Sequence, residues 1–396
     1  MKKTVLVAFG GASPEHEVSV LSAHQAIAAL KDSEWNIKPL YIAKNGKWYT
    51  GDYLLELKHY ENLSEVESRS QPCYFSHNEA GVPVLCEHEK KFGLLNRVNE
   101  TKIHVVLTAF HGASGENGAF QGVCEVYRIP YTGSNVLASA IGMNKVAAKE
   151  MSAAQGIPVV PGVDFTESEW VKSESELLAR IDELHYPVIV KPVNLGSSIG
   201  VKKAEDREGL IRAVEEGFRF DPHILVEKLI EPLIEVNCSV LGHAGDLEAS
   251  VCERPVGKEE LLSFHDKYLS SGSGSKGLAS ASRIIPADIS DKLASDIQKS
   301  ARKVFRALGC SGVARLDFLV NQSTSEFYFN EINTIPGSFS FYLWEESGKS
   351  FRKLLEELIR LAEQMHKEKG RQQQSYETNL LSKKAALGIK GLKNSK

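Results

Sequence analysis

Two short segments carry polar side chains at spacings that suit a metal site. Arg315 and Asp317 are two residues apart, as are Glu331 and Asn333, so on strands each pair shares one face. Two carboxylates and an amide facing each other across paired strands form an oxygen site for Mg²⁺ that bridges nucleotide phosphates. A surface salt-bridge ladder is the alternative. The residues that alternate with these are apolar, which favours a sheet that carries the polar residues on one face and packs against the core with the other. The predicted metal ligands are Asp317, Glu331 and Asn333.

A Gly/Ser loop follows a lysine that ends an apolar strand. Lys191 is followed by Pro192–Gly200, which contains Gly196, Ser197 and Ser198. Consecutive backbone amides in such a loop form a nest for phosphate oxygens, and glycine lets the backbone approach closely. A hairpin turn with a surface lysine is the alternative. The chain has no G-x-x-x-x-G-K-[ST] motif, so the loop is not a P-loop.

Other residues are candidates for holding a nucleotide. Lys145 stands at the start of a predicted helix, and Glu227–Ile230, which includes Lys228, follows a strand and could offer backbone groups to an adenine edge. Glu235 could accept hydrogen bonds from the ribose hydroxyl groups. Taken singly, each lysine could equally be an ordinary exposed residue.

A third group is predicted at one edge of an N-terminal sheet. His111 opens the segment H-G-A-S-G-E-N-G directly after a strand that ends at Phe110, and Glu15 follows the first strand. Ligands bind at the carboxyl ends of the strands in open α/β sheets, so both residues are candidates. His111 could equally be a buried structural histidine.

One glycine motif is misleading. Residues 272–277 satisfy G-x-G-x-x-G, the dinucleotide-binding pattern. They follow Lys267–Ser271, which is no hydrophobic strand, and no helix pattern opens after them, so the required context is missing. A flexible lid is the better interpretation.

The elements around these groups follow a βα pattern at the N-terminus. A strand at Thr4–Phe9 precedes a helix that opens at Ser13–Glu15 and runs to about Leu30; further strands are predicted at Lys38–Ala43 and Ile103–Ala109. This alternation favours a parallel α/β layer. Residues 46–100 are polar and irregular, and are interpreted as an insertion.

Paired strands dominate the rest of the chain. Strands are predicted at 186–192 and 200–203, which flank the Gly/Ser loop as an antiparallel pair, and at 224–227, 234–241, 315–320 and 326–330. Helices are predicted at 144–155 and 351–368. The expected units are 1–140, 141–225 and 226–370, followed by a flexible basic tail at 371–396.

Composition limits the function classes. At 396 residues two or three domains are expected. A net charge of -4 gives no electrostatic footprint for nucleic acid or for an anionic membrane. The six cysteines form no C-x-x-C pair, and no apolar run is long enough to span a membrane. We expect a cytoplasmic protein that binds small molecules.

In this order, the motifs resemble the ATP-grasp superfamily and specifically the D-alanine–D-alanine ligase family. The resemblance covers nearly the whole chain before the tail. It rests on segments at Gly10–Ser19, His111–Gly122, Pro130–Gly133, Met143–Lys145, Lys191–Gly200, Lys267–Tyr268, Arg315–Asp317 and Asn330–Gly337. It implies an N-terminal open parallel-sheet (pre-ATP-grasp) domain followed by a two-lobed α+β ATP-grasp.

The resemblance also implies the ligands and the roles of residues at the nucleotide. The cofactors would be ATP and two Mg²⁺ or Mn²⁺ ions held by the three predicted metal ligands. Lysines would neutralise the phosphates, and a second group would surround the nucleoside. The first group is Lys145, Lys191 and Lys267, and the second is Glu227, Lys228, Ile230 and Glu235.

The remaining implied roles concern the amino-acid substrates. Glu15 would hold the ammonium group of the first D-alanine, oriented by a network that links Ser197 and Tyr268. Arg315 and the backbone N–H of Gly337 would face the developing oxyanion. His111, Lys267 and Ser338 would contact substrates, and residues of about 260–280 would form a lid. The family also implies a homodimer.

The chain departs from the family pattern at the acceptor side. The segment from Ser338 to Trp344 is shorter and more aromatic than the family's T-S-x-S-like stretch, whose serine helps to hold the second carboxylate. Asn117 and Asn144 stand where aspartates are common, and Phe264–Asp266 replaces the usual acidic-aromatic lead-in to the lid. A sister ligase that uses D-serine or another acceptor therefore stays open, as does a non-catalytic ATP-binding protein.

Overall fold

A computed structural model of the chain describes residues 2–88, 98–256 and 283–373, and the strands in these ranges form three sheets. No helix among these residues is long and apolar enough to cross a membrane. The six cysteines are free and buried.

The first sheet is mixed and has the order β6-β5-β4-β3-β2-β1-β7. Its strands are β1 (Thr4–Gly10), β2 (Asn36–Ile42), β3 (Trp48–Thr50), β4 (Gln71–His77), β5 (Pro83–His88), β6 (Val98–Lys102) and β7 (Val105–Thr108). Strand β1 is parallel to β2 and β7, whereas β2 to β6 pair antiparallel. The predicted parallel α/β layer is therefore confirmed for its three predicted strands β1, β2 and β7, which lie at one end of the sheet.

The described part of residues 46–100 is not irregular, and that part of the prediction is wrong, whereas its interpretation as an insertion stays a prediction. Besides β3 to β6 these residues contain helix α2 (Leu63–Arg69) and two 3₁₀ turns, Asp52–Leu55 and Leu57–Glu61. The strands extend the sheet, and β4 buries only alternate residues, namely Cys73 and Phe75. Half-buried edge strands contain many polar residues, which is why the composition did not indicate them.

Helices pack on both faces of this sheet, α1 (His16–Leu30) on one face and α4 (Ala119–Val126) on the other. Three further helices follow β7, namely α3 (Ala113–Glu116), α5 (Val136–Met143) and α6 (Lys145–Ala154), and the last two pack against the strand Phe327–Asn333 of the third sheet. The helix expected to open at Ser13 begins at His16, with Glu15 at its N-cap. Instead of capping the helix, the Ser13 hydroxyl accepts a hydrogen bond from the backbone N–H of Glu15 (3.1 Å).

The second sheet is smaller and antiparallel, with the order β10-β9-β11-β8. Its strands are β8 (Gly162–Thr166), β9 (Val188–Pro192), β10 (Lys202–Ala204) and β11 (His223–Lys228), and it packs against α7 (Glu167–Asp182) and α8 (Arg207–Gly217). The predicted antiparallel pair on either side of the Gly/Ser loop is confirmed, with Lys202 opposite Val190.

The third sheet is antiparallel, with the order β14-β13-β12-β15-β16. Its elements are β12 (Leu233–His243), β13 (Asp246–Pro255), β14 (Arg283–Ile284), α9 (Asp291–Ala307), β15 (Gly312–Asn321), β16 (Phe327–Asn333), α10 (Phe341–Glu346) and α11 (Phe351–Gly370). Helix α9 buries one face of the sheet. Helix α11 packs against α1 and shares the core of the first sheet through Leu354 and Leu358. The division into units at 140/141, 225/226 and 370/371 stays a proposal.

The first prediction concerns the start of α6. The Asn144 side chain caps this helix by accepting a hydrogen bond from the backbone N–H of Ala147 (2.9 Å). We expect Asn144→Ala to lower the free energy of unfolding by about 1 kcal/mol, because the N–H loses its partner. Asn144→Asp keeps the capping oxygen and is the control, with a loss of less than about 0.5 kcal/mol. Urea unfolding followed by circular dichroism measures both, and equal losses would contradict the capping role.

Candidate active site

The four polar residues of the third sheet lie opposite each other. Arg315 pairs with Asn333 and Asp317 with Glu331 across β15 and β16. The Arg315 guanidinium donates two hydrogen bonds of 2.7 Å to the Asp317 carboxylate, and Asn333 Nδ2 donates to Asp317 Oδ2 (3.1 Å). Their apolar neighbours, such as Leu316, are buried on the other face. The predicted geometry is therefore present, with the polar residues on one face of the sheet and core on the other.

A buried cluster of lysines and one glutamate lies beside this face. Glu227 forms an ion pair with Lys149 Nζ (2.7 Å) and accepts a hydrogen bond from Lys191 Nζ (2.6 Å), and Lys145 Nζ lies 3.3 Å from Glu331 Oε2. Lys145 and Lys191 were predicted from sequence, whereas Lys149 was missed. The available indication was spacing, because residues four apart on α6 share one face.

The charges of this cluster compensate one another. Burial opposes ionisation of Glu227, but Lys149 and Lys191 outweigh it and lower the pKa of Glu227 to about 2. Burial lowers the pKa of Lys149, and Glu227 opposes that shift. Two ammonium groups are thus kept inside the protein by a single carboxylate.

A cleft opens between the second and third sheets. Apolar side chains from both sheets, such as Ile189 and Leu319, line it together with charged groups. Eight residues predicted to hold the nucleotide or the metal are in its wall: Lys145, Lys191, Glu227, Lys228, Ile230, Glu235, Asp317 and Glu331. The cleft is therefore apolar along part of its wall and carries lysine and carboxylate side chains along another part, which suits a nucleoside with attached phosphates.

The Gly/Ser loop connects this cleft to the N-terminal sheet. Lys145 Nζ donates to the Leu195 carbonyl, and the Ser197 hydroxyl donates to Glu15 Oε1. Ser197 and Ser198 have positive φ angles of 54° and 57°. The predicted link between Ser197 and Glu15 is thus formed across the two regions.

Glu15 lies in a tightly packed corner with Gly112. A Cβ atom on Gly112, which has a φ of +64°, would lie 2.6 Å from Glu15 Oε2 and 2.8 Å from Ser13 Oγ. Glu116, which was not predicted, accepts hydrogen bonds from the backbone N–H groups of Gly112 (2.9 Å) and Ile335 (3.2 Å). Burial, with a further contribution from Glu15, raises the pKa of Glu116 to about 7. The only sequence indication of Glu116 was its position in the His111–Gly122 motif.

His111 is buried and both of its ring nitrogens have partners. Nδ1 lies 2.9 Å from the Ile335 carbonyl oxygen and Nε2 lies 2.8 Å from Ser22 Oγ, which accepts from the backbone N–H of Ser338 (2.9 Å). Burial lowers the pKa of His111 to about 4, so the ring is neutral, donates from Nδ1 and accepts at Nε2. This arrangement favours a positioning role for His111 over direct contact with a substrate.

The turn after Gly337 has an unusual backbone. Ser338, Phe339 and Ser340 have φ angles of 51°, 57° and 50°, a left-handed conformation that costs about 1–2 kcal/mol for each non-glycine residue. The hydroxyl groups of Ser338 and Ser340 are buried and have no hydrogen-bond partner among the residues that the structure describes. Strain and unsatisfied polar groups of this kind cluster at functional sites.

Some predicted residues cannot be placed. Lys267, Tyr268, the expected lid of about 260–280 and the glycine motif at 272–277 lie outside the described residues. In the described ranges, no group of three or more His, Cys, Asp or Glu side chains is arranged to hold a metal ion. The candidate set is instead two carboxylates and one amide.

The two antiparallel sheets that enclose a cleft lined by lysine and carboxylate side chains, next to an N-terminal α/β domain, define an ATP-grasp enzyme. Two family models match the chain, described as the N-terminus of D-ala D-ala ligase at residues 4–134 and its C-terminus at residues 151–360. The chain belongs to the D-alanine–D-alanine ligase family.

Individual relatives agree with these matches. The D-alanine–D-alanine ligase of Bacillus cytotoxicus is 39% identical over 91% of this chain and 96% of its own, and that of Thermosipho melanesiensis is 35% identical over 94% and 96%. Among solved structures, the D-alanine–D-alanine ligase of Coxiella burnetii matches with a TM-score of 0.76 at 30% identity, over 93% and 96% of the two chains. The VanG D-Ala:D-Ser ligase of Enterococcus faecalis gives the same TM-score and identity, over 91% and 100%.

The charge cluster generates the second prediction. We expect Glu227→Gln to lower the free energy of unfolding at pH 7 by roughly 3 kcal/mol, because two buried ammonium groups lose their common partner. The folded-state pKa of about 2 lies below the ordinary value of 4.5. The stabilisation is therefore complete above pH 4.5 and is lost as the pH falls towards 2.

Urea unfolding followed by tryptophan fluorescence, repeated across this pH range, measures the effect. Glu231→Gln is the matched control, because the Glu231 side chain is half exposed and pairs with Lys203 at the surface (3.3 Å). Its loss should stay below about 0.5 kcal/mol. A difference between wild type and Glu227→Gln that does not shrink at low pH would contradict the assignment.

Proposed function

We propose that the chain is an ATP-dependent D-alanine–D-alanine ligase that makes a dipeptide for peptidoglycan synthesis. Its family membership supports this function. The observation that carries the proposal is the row of Arg315, Asp317, Glu331 and Asn333, of which Asp317 and Glu331 line the cleft. Such a row can serve phosphoryl transfer and the subsequent acyl transfer, and a protein that only binds ATP has no need of it.

The residues present fit ATP and divalent metal ions, which the family uses. Carboxylate oxygens of Asp317 and Glu331 and the amide oxygen of Asn333 are hard ligands from adjacent strands. When bound there, two Mg²⁺ or Mn²⁺ ions neutralise the phosphates and orient the transferring group. The chain's own cations, Lys145 and Lys191, line the same cleft as Asp317 and Glu331, and Lys145 Nζ lies 3.3 Å from Glu331 Oε2.

We propose that the nucleoside occupies another part of the cleft. Strand β11 leads into Lys228 and Ile230, whose backbone groups would meet the adenine edge, and Glu235 would accept hydrogen bonds from the ribose. Glu227 would act mainly through Lys149 and Lys191, because its carboxylate already binds both ammonium groups.

In the first half of the reaction, the carboxylate of one D-alanine attacks the γ-phosphorus of ATP, giving ADP and an acyl phosphate. Glu15, held by Ser197, would bind the ammonium group of this D-alanine. In our proposal Tyr268 completes this network and Lys267 contacts the phosphates. A lid at 260–280 would exclude the water that hydrolyses an acyl phosphate.

In the second half, the neutral amine of the second amino acid attacks the acyl carbon and inorganic phosphate leaves. Arg315 and the backbone N–H of Gly337 would stabilise the tetrahedral oxyanion. Asp317 holds the Arg315 guanidinium in a fixed plane through two hydrogen bonds. Ser338, in the strained turn, would contribute to the acceptor pocket. His111 would position this turn through Ser22.

The curated relatives favour D-alanine as the acceptor, because they are named D-alanine–D-alanine ligases. The alternative is a sister ligase for D-serine or another amino acid. It rests on the altered segment after Gly337 and on the likeness to the VanG D-Ala:D-Ser ligase, and it is less well supported.

We propose a cytoplasmic homodimer. Support for dimerisation comes from exposed apolar side chains on two contacting helices, Val126 on α4 and Leu137 on α5, which are 78% and 68% exposed. Exposed apolar groups of this size on neighbouring elements favour a protein interface. Sedimentation analysis of the full chain tests the assembly.

The third prediction tests the function directly. With Mg·ATP and D-alanine, the purified chain should release ADP and phosphate and form D-alanyl-D-alanine, detected by mass spectrometry. Glu331→Gln should lower ADP release roughly 100-fold or more, because the metal site loses a charged ligand. ADP release without dipeptide, restored by another amino acid, would support the alternative acceptor. Full activity of Glu331→Gln in a folded protein would contradict the metal assignment.

The fourth prediction concerns Glu15. In Gly112→Ala the new Cβ would displace the Glu15 carboxylate, so the KM for the first D-alanine should rise about tenfold while that for ATP stays unchanged. Gly46→Ala is the control, because Gly46 also has a positive φ (+80°) but a Cβ there meets nothing within 4 Å. Both variants should lose about 1 kcal/mol of stability. Equal KM values in the two variants would remove Glu15 from the first substrate site.

A further inference from the structure

A second polar cluster continues the row of site residues across the third sheet. Glu253 on β13 pairs with Asn237 on β12, Asn237 pairs with Asp317, and Asp317 pairs with Glu331. Cross-strand partners point to the same face, so Glu253 lies on the face that carries the metal ligands. With about 4.8 Å between strands, Glu253 is roughly 10 Å from Asp317.

Glu253 holds an arginine in a fixed position. Its carboxylate is almost fully buried and accepts from Asn237 Nδ2 (3.1 Å), from the Tyr342 hydroxyl (3.0 Å) and from Arg283 Nη1 (3.2 Å). The Arg283 guanidinium carbon lies 4.0 Å from the centre of the Tyr342 ring. A buried carboxylate and an aromatic ring thus set both the direction and the plane of this guanidinium, whose side chain is 13% exposed.

Helix α10 connects this cluster to Arg315. It follows the strained turn at Ser338–Ser340 and places Tyr342 on Glu253. Burial raises the pKa of the Tyr342 hydroxyl, Glu253 adds to this shift, and Arg283 and Arg315 oppose it. The Arg283 guanidinium lies directly over the Tyr342 ring, and Arg315 acts on the Tyr342 hydroxyl electrostatically.

The proposed reaction requires a second cation at this place. The acceptor amino acid reacts through its amine and keeps its own carboxylate, which has to be bound so that the amine points at the acyl carbon beside Arg315. The Arg315 guanidinium is already engaged by two hydrogen bonds to Asp317. The distance of roughly 10 Å between Asp317 and Glu253 is long enough for a phosphate group, the acyl carbon and one amino acid to lie in line.

We infer that Arg283, fixed by Glu253 and Tyr342, receives the carboxylate of the acceptor amino acid and is a specificity-determining residue for the second substrate. Arginine binds carboxylates through two parallel N–H donors, and a guanidinium held in place loses little entropy on binding. The altered segment from Ser338 to Trp344 supplies Tyr342 to this anchor. The inference rests on the proposed function and extends it to a discrimination between acceptors with and without a carboxylate.

A competition between two acceptors tests this inference. The full chain, Mg·ATP and D-alanine are mixed with D-alaninamide, which has no carboxylate and so can act only as acceptor. The ratio of D-alanyl-D-alanine to D-alanyl-D-alaninamide, from mass spectrometry, gives the preference for a carboxylate. It should be roughly 10- to 100-fold in the wild type and fall to within about twofold in Arg283→Met. Arg283→Lys should keep an intermediate preference, since lysine retains the positive charge but lacks the two parallel N–H donors of arginine.

Hydroxylamine separates acceptor binding from the first half of the reaction. It traps the acyl phosphate as D-alanyl hydroxamate without using an acceptor carboxylate, so Arg283→Met should form hydroxamate at the wild-type rate. Arg254→Met is the matched control, because Arg254 is also on β13 but binds Asp288 (2.5 and 2.7 Å). It should keep the wild-type preference and the wild-type hydroxamate rate.

The outcomes are distinct. A wild type that forms neither ADP nor hydroxamate would refute the proposed function itself. Normal hydroxamate formation together with an unchanged acceptor preference in Arg283→Met would refute the role of Arg283. Loss of hydroxamate and dipeptide in equal measure would show a structural role and would also overturn the inference. If Arg283→Met does not fold, the acceptor preference of Arg283→Lys tests the inference instead. A wild-type ratio of the two products in Arg283→Lys would refute carboxylate recognition by the two parallel N–H donors of Arg283.

Discussion

The cleft depends on one constraint, which is that several ammonium groups must be buried close together inside the protein. A site for a polyphosphate needs several ammonium groups in one place, yet each buried ammonium group is costly without a partner. Glu227 meets this constraint by binding Lys149 and Lys191 with its two carboxylate oxygens. The same interaction joins α6 to β9 and β11, so the electrostatic requirement of the site also fixes the position of the second sheet.

Helix α6, which carries Lys145 and Lys149, is held by close contacts with the third sheet. Helix α6 packs on β16, and its Asn144 cap sets where the lysines begin. At the end of α5, a Cβ on Gly142 would lie 2.7 Å from Thr334 Cγ2, so the helix pair can approach β16 only because this residue is glycine. The cationic wall and the metal ligands are therefore positioned by one packing unit.

On the other side of Arg315 the backbone is strained, in the turn that follows Gly337. Three consecutive left-handed residues, Ser338–Ser340, turn the chain directly from β16 into α10. This tight connection places Tyr342 over Glu253 and Trp344 Nε1 on Ser239 Oγ (3.0 Å). Aromatic side chains thus cover the sheet where the acceptor is expected, and they orient Arg283 there. The short segment, which departs from the family pattern, gives this side of the site its particular architecture.

The sequence by itself determined the chemistry and most of the local structure. The pairs Arg315–Asp317 and Glu331–Asn333 could be placed on strand faces because the strand period of two is a local property, and the flanking strands of the Gly/Ser loop were predicted for the same reason. The ordered motifs were also enough to indicate the family. Composition failed for residues 46–100, because half-buried edge strands contain many polar residues and resemble loops.

Only the tertiary structure decided which distant residues meet. Lys149 gains its role from Glu227, Glu116 from the backbone of Ile335, and Arg283 from Glu253 and Tyr342. None of these partners is close in sequence, so no local pattern marks them. Their pairing depends on the register of strands and on the packing of helices over them. The sequence therefore specified which charged groups the site contains, and burial together with long-range pairing decided which of them act on each other.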